Sequence, residues 1–136
     1  MRLTIEQAQS RISVTILGLH GELDASNYEQ VIARARELYS AGTRYLLLDL
    51  RDMPFMGSSG VVALHSIALL MRGEEPSDLQ AGWQAFHAID HDRGTGPQKH
   101  VKLLNPRPKV ERTLDVTGIN EFFEIHTDLQ TAIASF

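Results

Sequence analysis

Hydrophobic and polar residues alternate from the first positions of the chain. Leu3 and Ile5 stand between polar neighbours, the period of a half-buried strand. Gln7 to Arg11 reads as a turn, and Ile12, Val14 and Ile16, with Gly18, resume the alternation. The first two strands are therefore expected to form a hairpin. Gly21-Glu22-Leu23-Asp24 breaks the second strand. Ser26 or Asn27 then offers a short side-chain acceptor for the free amides of a helix. In that helix Tyr28, Val31, Ile32, Ala35, Leu38 and Tyr39 form one apolar face, and Gly42 ends it. Tyr45 to Leu48 is a continuous apolar run closed by Asp49-Leu50, the pattern of a central strand covered on both sides. Arg51 to Gly57 is a loop, and Ser58-Ser59-Gly60 opens a strongly apolar helix from Val61 to about Arg72, with Gly73 as its stop.

From Glu74 to His100 the character changes. Glu74-Glu75-Pro76, Asp90-His91-Asp92-Arg93 and Gly94-Thr95-Gly96-Pro97 mark a surface insertion at about 74–99, longer than an ordinary connection. Its middle, Leu79 to Ile89, has the spacing of a short helix carrying Trp83 and Phe86, either as an extra contact surface or as a lid folded back on the domain. Order resumes with a strand at Val101–Leu104, followed by a helix that starts at Asn105-Pro106, turns Val110 and Leu114 inward and is capped by Gly118. Phe122 to Ile125 reads as a short edge strand. Thr127 or Asp128 caps a final helix with Leu129, Ala132, Ile133 and Phe136 on one stripe. The order β-β-α-β-α-β-α-β-α implies an α/β fold with a mostly parallel or mixed sheet and right-handed crossovers.

Composition narrows the function. The chain has 136 residues, 43% of them hydrophobic, which suits one domain with a real core spanning 1–136. A net charge of -4 disfavours a duplex-binding face. Arg107, Lys109 and Arg112, with Lys102 nearby, form the nearest basic cluster and read as a solvated helix face. With no cysteine, the chain has no disulfide, catalytic thiolate or Cys-based zinc site, and this fits a cytoplasmic protein. Met1 to Ser10 has no apolar core of a leader, and the longest apolar stretch, Val61 to Met71, is too short to span a bilayer, so no membrane insertion is expected.

Candidate chemistry is sparse. Ser58 lies in no Gly-x-Ser-x-Gly elbow, and Gly57 to Gly60 lacks the Gly-Lys-Ser/Thr ending of a phosphate loop. Gly94-Thr95-Gly96 does not lie between a strand and a helix. His87 and His91 stand four apart beside Asp90 and Asp92, but without the His-Glu-x-x-His pattern they read as loop residues. His20, His65, His100 and His126 show no ligand spacing. No catalytic residue, metal or cofactor is expected.

Three segments do line up with one family: Gly21-Glu22-Leu23-Asp24 after the second strand; Leu48-Asp49-Leu50, Phe55-Met56 and Ser58-Ser59-Gly60 around the third; and Asn105-Pro106, Val110, Leu114, Thr117-Gly118-Ile119 and Phe122-Phe123-Glu124-Ile125 at the end. Together they resemble the STAS domain, the fold of bacterial anti-sigma factor antagonists. The resemblance implies a sheet of about five strands with helices mainly on one side and the first hairpin strand at an edge. It also implies a non-enzymatic protein-binding module that regulates transcription. Its partners would be an anti-sigma factor serine kinase and a serine phosphatase, with no nucleic acid.

In the family, a serine at the start of the helix after the third strand is phosphorylated, and only the unmodified form binds the anti-sigma factor. Carried over, that residue is Ser58, with Ser59 as the alternative acceptor. Where switching members often have Asp before the serine, this sequence has Gly57. That departure keeps open a second function: a scaffold or sensory subunit assembled with other STAS chains or a transport system, and not phosphorylated. A helix N-terminus accommodates a phosphate on its own amides, while a partner packed over it does not. A serine here is equally a plain N-cap. The expected partner surface joins Ser58, Ser59 and Gly57 to Asp24, Ser26, Asn27, Met56, Val61 and Val62. Turn and cap roles for the polar residues, and core roles for Met56 and the valines, are the local alternatives.

Overall fold

The computed structural model describes residues 1–75 and 97–136. Almost the whole of the expected insertion, with Trp83, Phe86, His87 and His91, lies outside the described residues. A five-stranded sheet runs in the order β1-β2-β3-β4-β5. β1 (Arg2–Gln9) pairs antiparallel with β2 (Ser13–His20) at the edge. β2, β3 (Leu46–Asp49), β4 (Val101–Leu104) and β5 (Ile125–His126) are parallel. The expected α/β architecture and its element order are present, with one 3-10 turn (Ile119–Glu121) added before β5.

Strand residues divide between two faces with a period of two. Leu17, Leu19, Leu46, Leu48, Val101 and Leu103 meet α1 (Tyr28–Ser40), α2 (Ser58–Met71) and α3 (Pro108–Thr117) in the main core. On the opposite face Val14, Ile16, Leu47 and Leu104 are covered by Ala132 and Ile133 of the short α4 (Leu129–Ala134) and by Phe136. Among the described residues, three helices on one face and one on the other give the arrangement the resemblance implied, with helices mainly on one side. α2 is apolar all round because it packs between α1, α3 and the sheet, and every residue from Gly60 to Met71 is buried. Among the described residues no helix is long and apolar enough to cross a membrane.

Several boundaries differ from the sequence reading. β1 continues to Gln9, because Gln7 and Gln9 make cross-strand bonds from Thr15 Oγ1 (3.0 Å) and Ser13 Oγ (2.7 Å) rather than turning. The third helix begins at Pro108, not Asn105: Asn105 is left-handed (φ 52), and Pro108 supplies the fixed φ that suits a first helical position. The strand expected over Phe122–Ile125 is confined to Ile125–His126, since Phe122 and Phe123 are buried in the core and packed edge to face at 5.1 Å. Leu129 is exposed at the rim instead of joining the α4 stripe. Lys102 leaves the basic cluster altogether: it is buried under Phe136 and bonded to Glu124 at 3.0 Å.

Helix ends follow local chemistry. α1 and α2 both close on a left-handed glycine, Gly42 (φ 110) and Gly73 (φ 83). The next amides, Thr43 and Glu74, reach back to Leu38 O and Leu69 O at 3.0 and 2.9 Å. Asp128 caps α4 by accepting from Thr131 N at 2.9 Å and Thr131 Oγ1 at 2.7 Å.

Gly60 sits where a β-carbon would overlap Met56 Cγ and crowd the Leu23 side chain at 3.1 Å. Ala would gain up to about 1 kcal/mol of helix propensity. Overpacking costs about 1–3 kcal/mol, and this term should win. Gly60→Ala is therefore expected to lower the urea midpoint at unchanged m-value. Asp128 should make stability pH-dependent. The hydroxyl and amide of Thr131 hold its carboxyl below the usual range, so the folded pKa lies below the unfolded one. Its contribution is complete above the unfolded pKa and disappears as the pH falls through the folded value. Stability curves of Asp128→Asn and the unmodified chain should therefore converge at acid pH and separate towards neutrality.

Candidate functional site

The site is built at the carboxyl end of the parallel strands, where two loops are laced together. The loop after β2 holds Gly21–Asn27 and the loop after β3 holds Arg51–Gly57. Gly21 N donates to Asp52 O (3.0 Å), Leu23 N to Phe55 O (3.0 Å) and Gly57 N to Leu23 O (2.8 Å). Leu23 and Met56 pair as an isolated bridge, and both side chains are buried. His20 Nδ1 adds a 2.8 Å contact to Asp52 Oδ2, and its Nε2 meets Thr4 Oγ1 at 2.9 Å. The second loop thus reaches α2 with its last three residues fixed from below.

Ser58 is the first residue of α2, and Gly57 is the cap. The serine is not an N-cap: it stands one position inside the helix, exposed, and no side chain caps that helix end. Neither Ser58 nor Ser59 uses its hydroxyl in a hydrogen bond among the described residues, and Ser59 is half-buried. The plain capping role is therefore absent. Gly57 has ordinary extended geometry (φ -83, ψ 179), and a β-carbon there would meet nothing nearer than 3.7 Å. An aspartate would fit at this position.

The polar residues of the first loop hold the loop itself. Asp24 Oδ1 accepts from Ser26 N (2.9 Å) and Ser26 Oγ (2.5 Å). These two bonds, the hydroxyl's first, lower the Asp24 pKa. Asn27 stands at the cap position of α1 without capping it. Its Oδ1 accepts from Asp24 N at 3.0 Å and its Nδ2 donates to Glu22 O at 2.8 Å. Ser26 is exposed, and Asp24 and Asn27 are half-buried.

The structure thus brings Asp24, Ser26, Asn27, Gly57, Ser58 and Ser59 to one end of the molecule. It does not bring Met56, Val61 and Val62 to the surface. These three are buried, because the start of α2 lies over the core, and they support the serine from behind. The apolar group that does face outwards is Phe55, 45% exposed and adjacent to Gly57. Sequence pattern missed it, since its neighbour Met56 takes the inward position and the loop has no period to separate the two. Thr113 Oγ1 of α3 donates to Met56 O at 3.2 Å, so α3 borders the same loop.

The profile of the STAS domain matches residues 6–73, half of the chain. No curated protein sequence matches. Among solved structures, the chain is similar to a candidate anti-sigma factor antagonist from Thermotoga maritima, with a TM-score of 0.70 and 17% identity over 96% of this chain and 91% of that one. An anti-sigma factor antagonist from Mycobacterium paratuberculosis gives 0.65 and 16% over 98% and 93%. The Bacillus cell fate determinant SpoIIAA in its phosphorylated form gives 0.56 and 18% over 97% and 96%. At such identities the likeness to these structures is one of fold. The mixed sheet, its strand order and the matched profile agree, and the chain belongs to the STAS domain family.

Proposed function

We propose that this protein is an anti-sigma factor antagonist, a cytoplasmic protein-binding module switched at Ser58. In the unmodified state it would bind an anti-sigma factor kinase. That kinase would phosphorylate Ser58, and a serine phosphatase would reset it. The observation that carries the reading is the exposed, unengaged hydroxyl of Ser58 at the first position of a 14-residue helix. A phosphate there adds about -1.5 to -2 charge beside the free amides and positive end of the helix dipole. The domain accommodates that charge. A partner seated over Ser58, Phe55 and the Asp24–Asn27 loop would have to desolvate it. Ser59, half-buried, is the less accessible acceptor. The reading assigns no catalytic residue, metal or cofactor to this chain.

Gly57 favours a second reading, a scaffold subunit that is not phosphorylated and assembles with other STAS chains. The two separate on substitution. Under the switch, Ser58→Asp should weaken kinase binding at least tenfold, roughly 1.4 kcal/mol, with a thermal midpoint close to that of the unmodified protein. Calorimetric titration of the purified kinase, read beside a melt, decides the matter. Equal affinity of Ser58→Asp and wild type would sink the switch. Sensitivity to Trp83→Ala with indifference to Ser58 would favour the scaffold. Gly57→Asp should fold with its thermal midpoint held or slightly raised, because the carboxylate arrives at a cap position with room for it. Quantifying phosphate on Ser58 by mass spectrometry in that variant measures what the missing carboxylate contributes to modification.

A further inference from the structure

α3 is divided lengthwise by charge. At 3.6 residues per turn, Val110 and Leu114 point into the core, and the flanks beside them carry different residues. Lys109, Arg112, Thr113 and Val116 fall on one flank, and Glu111 and Asp115 on the other. The hydrogen bond from Thr113 to Met56 O puts the basic flank against the loop that leads into Ser58. Pro54 of that loop shares an open groove of about 390 Å³ with Arg107, Pro108 and Lys109.

Two properties set this strip apart from a solvated helix face. Lys109 and Arg112 are exposed and make no ion pair among the described residues, although the whole chain carries a charge of -4. Two large apolar groups are exposed on these elements: Val116, at 81%, one turn along α3 from Arg112, and Phe55, at 45%, next in the chain to Pro54, which lines the groove with Lys109. An acidic protein that leaves cations unpaired around exposed apolar side chains presents a surface complementary to carboxylates grouped about an apolar residue.

We infer that Lys109, Arg112 and Val116, continued by Phe55, form a docking strip for an acidic protein surface bearing a projecting apolar side chain. This rests on the proposed function, and it names the chemistry of the partner face. Nucleic acid fits the strip less well, since a phosphate backbone is tracked by longer rows of cations and gains nothing from Val116. The strip also gives the switch a second route. A phosphate on Ser58 would place like charge beside carboxylates drawn to Lys109 and Arg112.

The test uses the full chain and a 14-residue synthetic peptide of glutamate and leucine at helical spacing, followed by two-dimensional ¹⁵N NMR. The expected result is shift changes at Phe55, Lys109, Arg112 and Val116. Affinity should fall at least tenfold in Lys109→Glu/Arg112→Glu and on raising salt to about 0.5 M. Glu111→Lys/Asp115→Lys, on the opposite flank, should bind the peptide undiminished. Unchanged positions of the remaining amide signals show that each variant is folded. Absence of binding, shifts centred elsewhere, indifference to the double charge reversal, or tighter binding of a duplex oligonucleotide at the same residues would each overturn the inference. Any of these outcomes leaves Ser58 and the kinase titration where they stand, because neither Ser58 nor the kinase enters the measurement.

Discussion

The close approach of Leu23, Met56 and Gly60 governs this molecule. Leu23 lies between two strands of hydrogen bonding, its amide to Phe55 and its carbonyl to Gly57. Its side chain fills the space under the first turn of α2. Only glycine at position 60 lets the helix descend that far. The contact fixes the height of α2 above the sheet. Twelve consecutive residues of that helix, Gly60 to Met71, are then buried on all sides. A helix so apolar has no favourable place except between neighbours, so α1, α3 and the sheet are organised about it. Ser58 lies two residues before this anchored point, at the exposed start of the helix.

The same contact separates rigidity from recognition. Backbone bonds between the two loops hold the serine end without using any side-chain group of Ser58, Ser59 or Phe55. Groups left free in this way can change charge or meet a partner while the scaffold stays as it is. Asp24 and Asn27 work on the structural side of that division: their bonds are internal to the first loop, and Ser26 rides on them. In the proposed switch the response to phosphate would be a change in what the surface attracts.

Much of the fold was legible in the sequence because its signals are local. The alternation of Leu3 and Ile5, the apolar run before Asp49 and the closing glycines at 42, 73 and 118 mark elements by chemistry acting within a few residues. What misled the reading was long-range. Gln7 and Gln9 look like turn residues until their cross-strand partners on β2 are seen. Phe122 and Phe123 carry strand propensity but are recruited by the core beside His65. Lys102 reads as basic surface until β4 turns it inward onto Glu124 and Phe136. Motif order in the sequence singles out Ser58, and the structure puts it at the first position of α2. The exchange of roles between Phe55 and Met56 depended on which one pairs with Leu23, and no spacing in the chain records that. The charge division of α3 was present in the sequence as a period, but its direction relative to Ser58 required Thr113 and Met56 to be seen together.

The closing turn of α2 has a practical consequence. Gly73 sits against the hydroxyl of Tyr39, where a β-carbon would stand 3.1 Å away, so the ends of α1 and α2 are pinned side by side. Fourteen helical residues at about 1.5 Å each put this junction roughly 20 Å from Ser58. Chain leaving the helix at Glu74 and returning to β4 at Val101 is rooted at the pole away from the serine. A fluorophore, affinity handle or fused domain attached at Glu75 would thus report on the protein from a base remote from Ser58.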